Sequence, residues 1–370
     1  MTAQPFDRAA NPPRRPVLVL SALTCAALTL AATSCARGED EAAGSAQSSG
    51  DPSAQAQVLD DAAGSEETCT VGQYGGEEFD LADTTVGFSQ SEAESNPFRI
   101  TETASIEAEA EERGVELLTA NAQSDFAQQI SDVQGLISQG AELLVIAPLN
   151  SDGWEPVLAE AQREQIPIIT IDRQINGDPC RDYVTFIGSD FVEQGRRAAD
   201  QMIEALGGEG KVAILLGTAG NNVTTERTQG FTERIAAEAP GIEIVFEQTG
   251  EFTREGGQSV TEQLIQSEPD IDGIYAENDE MGIGAVTALR GAGREPGEVA
   301  IVTVDGTREA VQNIVDGWIH AVIESNPRFG PLAFDAAQAF GSGQEVAVEL
   351  VIADREYDES NAESELSNAY

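Results

Sequence analysis

From residue 84 onward, short apolar runs rich in β-branched residues alternate with longer segments of helical period, which restricts the fold to parallel α/β layers. TTVGF (84–88), VELLTA (115–120), ELLVIA (142–147), IPIITID (166–172) and YVTFIG (183–188) read as strands. Helices are expected over about 97–113, 124–139 and 153–163, the first closed by Arg113-Gly114 as a C-cap. The pattern repeats with KVAILLG (211–217), IEIVFEQ (242–248), DGIYAEN (272–278) and VAIVTVDG (299–306). A strand IHAVIES (319–325), a helix near 329–340 and a strand VAVELVIA (346–353) complete it. The expected fold is α/β, two doubly wound parallel-sheet lobes: residues 84–188 with 325–350, and 189–324 with 351–370. Late elements return after two complete units, so multiple hinge crossovers are expected, near Gly188, Ser325 and residues 346–351.

The N-terminus is of another kind. Arg14 and Arg15 precede an apolar run over 17–32, shorter than the roughly 20 residues of a membrane-spanning helix, which makes residues 1–34 an export signal. Small residues lead into Cys35, a resemblance to the bacterial lipoprotein box. That resemblance implies cleavage before Cys35, lipidation of its thiol and a membrane anchor on the extracytoplasmic face; ordinary signal cleavage nearby is the alternative. Residues 35–83 are then the lipidated cysteine, a linker and an N-terminal extension. The stretch 36–68, rich in Ala, Gly, Ser, Gln and Asp, reads as flexible tether.

Charge and cysteine usage exclude several classes of function. Acidic residues outnumber basic ones 65 to 20, and Lys211 is the only lysine, so nucleic acid is not an expected partner. With Cys25 removed in the signal and Cys35 lipidated, Cys69 and Cys180 remain in an oxidising compartment, where a disulfide is the natural reading. A metal site would need more thiols or imidazoles than the single His320, which lies in the strand-like run WIHAVIE and reads as structural. No cofactor and no metal are expected, and the chain is expected to be a monomer.

In open parallel sheets ligands bind beyond the carboxyl ends of the strands. The residues there are Gln90 with Phe98 and Arg99, Asp172 and Arg173, a loop leading to Arg227, Phe252, Asn278, Asp305 and Glu324. Carboxylate, amide and guanidinium groups can each bridge adjacent hydroxyls, and an aromatic face can cover the C–H side of a sugar ring. Singly, each has a plainer explanation: Asp305-Gly306 is a common turn pair, and Phe98 or Phe252 could be core. Their placement after successive strands is what points to a ligand. Catalysis finds less support and comes third, since no histidine accompanies a serine or cysteine, no glycine-rich phosphate loop follows a strand, and paired carboxylates carry little weight in so acidic a chain.

At these residues the chain resembles the sugar-binding lipoproteins and periplasmic proteins of ABC importers, in the ribose-binding class and most of all its galactofuranose-binding members. The matching segments are VGFSQ (86–90), EAEERG (109–114), APL with GWEPVL (147–149, 153–158), IP followed by DR (166–173), GTAG with ER (217–227), EFTR (251–254), ENDEMGIGA (277–285) and DGT (305–307). The resemblance implies hydrogen-bonding roles for Arg99, Asp172, Arg173, Arg227, Asn278 and Asp305, aromatic platforms at Phe98 and Phe252, and a last-strand polar ligand at Glu324. The first loop, ESNPFR, carries the Asn-Pro-Phe of ribose binders where galactofuranose binders have Gly-Trp, so both sugars stay open. The implied function is a non-enzymatic receptor that delivers a monosaccharide to an ABC permease. A module presenting its sugar-bound form to a signalling receptor is the alternative. Repressors with the same core are excluded by the export signal and the acidic charge.

Overall fold

A computed structural model describes residues 55–59 and 67–370; the export signal and Cys35 lie outside the described residues. In chain order the elements are β1 (Thr68–Cys69), α1 (Val71–Tyr74), β2 (Thr85–Gln90), α2 (Pro97–Arg113), β3 (Glu116–Asn121), α3 (Phe126–Ser138), β4 (Leu143–Ile146), α4 (Glu155–Glu164), β5 (Ile168–Ile171) and β6 (Thr185–Gly188). They continue as α5 (Phe191–Leu206), β7 (Glu209–Leu216), α6 (Asn222–Glu238), β8 (Gly241–Thr249), α7 (Arg254–Ser267), β9 (Gly273–Ala276), α8 (Asp279–Gly291), β10 (Ala300–Asp305), α9 (Arg308–Val315) and β11 (Ala321–Glu324). Last come α10 (Gly330–Gly341), β12 (Val346–Ala347), β13 (Glu349–Val351), β14 (Glu356–Tyr357) and α11 (Ala362–Glu365).

Two six-stranded sheets result, β13-β6-β5-β4-β2-β3 in one lobe and β14-β11-β10-β9-β7-β8 in the other. All their pairings are parallel except β11 with β14. Side chains alternate across each sheet, so both faces need cover. In lobe 1, Leu143 and Val145 face α2 and α10, while Leu144 and Ile146 face α3 and α4. In lobe 2, Ala213 and Leu215 face α7 and α8, while Val212 and Ile214 face α5 and α6. Strands buried on both sides read as continuous apolar runs, which is why they were legible.

The chain passes between the sheets three times: between β6 and α5, between β11 and α10, and between β13 and β14. The third passage corrects the expectation of a hinge at 346–351. Those residues are held in lobe 1, Val346 and Ala347 by β1 and residues 349–351 by β6, and the chain leaves only over 352–355. The run expected as one strand over 346–353 is therefore two short ones.

The linker expectation is also corrected in part. Residues 55–59 lie along the outer edge of β13: the Leu59 N–H donates to Val351 O at 3.0 Å and the Ala353 N–H to Gln57 O at 2.7 Å. An open sheet edge offers unpaired backbone groups, and this segment satisfies some of them while burying Ala56 in the lobe 1 core. Thr68 likewise belongs to β1. Cys69 and Cys180 form a disulfide with Cα atoms 5.2 Å apart, tying the start of the folded region to the loop between β5 and β6. Among the described residues no helix is long and apolar enough to cross a membrane.

Candidate functional site

The carboxyl ends of both sheets converge on one small cavity of about 30 Å³, lined by Glu92, Asn96, Phe98, Arg99, Asp172 and Arg173 from lobe 1. Lobe 2 contributes Val223, Arg227, Phe252, Asn278 and Asp305. The rims meet as well: the Ser151 N–H donates to Gly220 O at 3.0 Å, and the Gln174 N–H to Asn222 Oδ1 at 3.1 Å.

The lobe 1 wall begins in the turn from β2 into α2. Asn96 caps that helix, its Oδ1 accepting from the Phe98 N–H at 2.9 Å, and Pro97 supplies the preset φ of a first helical residue. The first turn thereby presents Phe98 and Arg99. Arg99 Nη1 lies 2.8 Å from Glu102 Oε2 and 2.7 Å from Asp172 Oδ2, and its Nε donates to Glu92 Oε2 at 3.0 Å. Arg173 reaches the same Glu92 from the far side, Nη2 to Oε1 at 2.8 Å. Burial would raise the Glu92 carboxyl, but Arg173 and Arg99 on either side hold it down at about 2. Glu102, deeper behind Arg99, is pushed up to about 7 by burial and by Asp172, against the pull of Arg99. For Arg99 itself, burial opposes the charge, yet Asp172, Glu92 and Glu102 keep it firmly protonated.

Lobe 2 is held differently. Asn278 ends the β9 segment and caps α8, its Oδ1 accepting from the Met281 N–H at 3.0 Å, while its Nδ2 donates to Phe252 O at 3.1 Å. The Phe252 ring lies against Gly217, where any Cβ would collide with it, and faces the Arg173 guanidinium of the other lobe at 5.7 Å. Arg227 donates from Nη1 to Glu277 O at 2.6 Å and from Nε to Gln194 Oε1 at 2.9 Å; its Nη2 is 4.0 Å from Asp305 Oδ1. Burial, with neighbouring Asp279, raises the Asp305 carboxyl well above the usual carboxylate range. Asp279 does not face the cavity: it accepts from Gly306 N–H at 2.9 Å and Thr307 N–H at 2.7 Å and so shapes the turn that carries Asp305.

Three lining residues have backbones in the left-handed region: Asp172 at φ 63°, Phe252 at φ 57° and Asp305 at φ 140°. Such strain costs on the order of 1–3 kcal/mol each and persists where surrounding structure fixes it, characteristically at ligand sites. Arg173 Nε is buried without a hydrogen-bond partner. Asp172 Oδ2, though at ion-pair distance from Arg99, is not aligned for a hydrogen bond. Buried polar atoms in this condition are suited to a polar ligand.

Of the ten ligand residues expected from the sequence, Phe98, Arg99, Asp172, Arg173, Arg227, Phe252, Asn278 and Asp305 line the cavity. Gln90 and Glu324 do not. Gln90 turns inward from β2, its Nε2 donating to Glu102 Oε2 at 2.9 Å and Thr103 Oγ1 at 3.1 Å, so it buttresses the partner of Arg99. Glu324 accepts from the Arg355 N–H at 3.0 Å and the Tyr357 hydroxyl at 3.2 Å, at the second and third passages between lobes. Glu92, Asn96 and Val223 escaped the sequence reading. Glu92 follows a strand end like the others, but one acid among 65 carries little signal.

Residues 86–345 match the family model of the periplasmic binding protein domain. The chain is 37% identical over 264 residues to the galactofuranose-binding protein of Escherichia coli (strain K12), covering 70% of this chain and 82% of that protein. It is 35% identical over 263 residues to the ribose import binding protein of Bacillus subtilis (strain 168), covering 71% and 83%. Among solved structures, a Mycobacterium smegmatis protein in complex with β-D-fucofuranose superposes with TM-score 0.74 at 38% identity, covering 77% of this chain and 94% of that one. The arabinose transporter component of Shewanella sp. ANA-3, bound to α- and β-L-arabinofuranose, does so with TM-score 0.74 at 36% identity, covering 76% and 94%. Two parallel sheets with three passages between them, a polar cavity at their facing carboxyl ends and these likenesses lead to one conclusion: the chain belongs to the periplasmic binding protein family.

Proposed function

We propose that this chain is the extracytoplasmic, non-enzymatic receptor of an ABC importer, closing two lobes around one monosaccharide and handing it to a membrane permease. The observation that carries this reading is the set of planar, multiply bonding groups on opposite sides of one cavity: Arg99, Asp172 and Arg173 from lobe 1, Arg227, Asn278 and Asp305 from lobe 2, with Phe98 and Phe252 as aromatic faces. A ligand that touches both walls favours the closed arrangement because only there are both sets of bonds made. Hydroxyls would take up bonds to Arg173 Nε and Asp172 Oδ2, and would exchange for part of the present ion pairing as the cavity widens to admit a ring. The relatives named for or bound to galactofuranose, arabinofuranose and fucofuranose, with one named for ribose, support a galactofuranose-like or ribose-like monosaccharide. The lipid anchor at Cys35 is part of the same proposal, because a tethered receptor stays beside its permease.

A thermal-shift screen against D-galactose, D-ribose, L-arabinose and D-fucose tests the reading, since a ligand that binds only the native state raises its melting temperature. At least one sugar should raise it in a concentration-dependent way. No shift with any sugar at millimolar concentration would reject the assignment. A Cys35→Ala variant should leave the membrane fraction while keeping its sugar affinity.

A further inference from the structure

We propose that Gln194 is a positioning residue for sugar binding: its carboxamide fixes Arg227 on one side and grips the second and third chain passages on the other, coupling the hinge to the cavity. The inference rests on the reading that Arg227 contacts the sugar. Gln194 sits in the first turns of α5, directly after the first passage at Gly188 and Ser189, and is 1% exposed. Its Oε1 accepts from Arg227 Nε at 2.9 Å. Its Nε2 donates to Asp354 Oδ2 at 2.7 Å, in the third passage, and to Glu324 O at 3.2 Å, where the second begins. Asp354 also takes a bond from Ser189 Oγ at 3.2 Å, and that hydroxyl lies 3.4 Å from Ser325 Oγ. All three passages thus meet around one carboxyl, and Gln194 joins that meeting point to the cavity.

The helix packing shows how so short a side chain spans the gap. At Gly195 a Cβ would fall 2.2 Å from Arg227 O, and at Gly230 it would fall 2.0 Å from Val192 O. Only glycine at both crossing positions lets α5 and α6 approach closely enough for residue 194 to meet residue 227. The chemistry is equally specific. Gln194 must accept from a guanidinium and donate to two oxygens, and a carboxamide offers both in one rigid plane. Glutamate would keep the acceptor for Arg227 but set a second carboxyl against Asp354; methionine would keep only the shape. Burial raises the Asp354 carboxyl to about 7, so this contact is also sensitive to the charge placed beside it.

The test is calorimetry with whichever of the four sugars above binds the wild type most tightly, on Gln194→Met, Gln194→Glu and the exchange pair Gln194→Glu with Asp354→Asn. Gln194→Met should bind about 10- to 100-fold more weakly, from loss of bonds to a charged partner. Gln194→Glu should also weaken binding. The exchange pair should bind measurably better than Gln194→Glu, because Glu at 194 still accepts from Arg227 and now also accepts from the amide at 354, although Glu324 O loses its donor in both. A residue that merely filled space would show no such recovery. Gln194→Met within about twofold of wild type, or an exchange pair no better than Gln194→Glu, would overturn the inference while leaving sugar binding intact. If Gln194→Met does not fold, the second comparison decides. Failure of the wild type to bind any of the four sugars would overturn the functional reading, and this inference with it.

Discussion

The lobe 1 wall of the cavity is a ring of ion pairs, Arg99 and Arg173 clamping Glu92 with Asp172 beside them, whereas the lobe 2 wall sets one arginine against a main-chain carbonyl, an amide and a carboxyl that burial raises well above the usual range. In lobe 1, opposite charges at 2.7–3.0 Å determine where each side chain sits before any ligand arrives. In lobe 2 the backbone does that work, through the capping Asn278, the turn built on Asp279 and left-handed residues at Phe252 and Asp305. The two walls should therefore respond differently to identical changes.

The largest difference expected concerns stability and the disulfide, which lobe 1 alone carries. Replacing both Cys69 and Cys180 by Ser removes a cross-link spanning 111 residues and should cost up to about 4–5 kcal/mol in the chain-entropy account. Differential scanning calorimetry with and without reductant measures it. Sugar affinity should not change, because neither cysteine lines the cavity.

Acidity separates the walls next. Glu277, at the foot of lobe 2, is raised by burial from 4.5 to about 7, so its proton is bound on folding. Its contribution to stability is complete below about pH 4.5 and is lost as pH rises through 7, an effect of about 3 kcal/mol. Glu92 has the opposite sign: held at about 2, it adds stability above pH 4.5 that disappears as pH falls toward 2. Glu102, raised to about 7 in lobe 1, adds to the high-pH loss, so single substitutions rather than the whole profile must separate the terms. Thermal melts from pH 3 to 9 should show Glu277→Gln losing less stability between pH 5 and 8 than the wild type, and Glu92→Gln losing less between pH 5 and 3. Parallel profiles would break the comparison.

The same substitution in each wall gives the next effect. Asn tolerates the left-handed backbone and keeps the shape of Asp. Asp172→Asn removes a charge from the ion-pair ring and should weaken sugar binding at least about tenfold. Asp305→Asn changes a carboxyl that burial already biases toward its neutral form and should cost less, staying within about threefold. Equal losses, measured by calorimetry, would mean that the two walls are not electrostatically distinct. The smallest effect is a null one: Asp316, exposed at the end of α9 and bonded only to Gln312, should give an Asp316→Ala variant with wild-type affinity.

Much of this was legible because each signal had a local cause. Helix α2 spans Pro97–Arg113 as expected, since Asn96, Pro97 and Gly114 mark its ends, and eight expected residues line the cavity because each lies at a strand's carboxyl end or in the loop and helix that follow it. Gln90 satisfied the same rule and failed it for a reason no linear pattern records: strand pleating turned its side chain toward Glu102. Gln194 was invisible because it lies inside a helix, and its importance comes from two glycines 35 residues apart that let α5 and α6 touch. Residues 55–59 read as tether because so short a run stands within a stretch rich in small polar residues, and the edge pairing that holds it is made by backbone.

The central claim, one sugar held by both walls, is tested most directly by a crystal structure of the protein grown with the tightest-binding sugar of the panel. The expected map shows a single sugar in the cavity, bonded to Asp172 or Arg173 on one side and to Arg227, Asn278 or Asp305 on the other, with the Glu92 clamp loosened to admit it. Density for the sugar outside this cavity, or contacts confined to one lobe, would contradict the account.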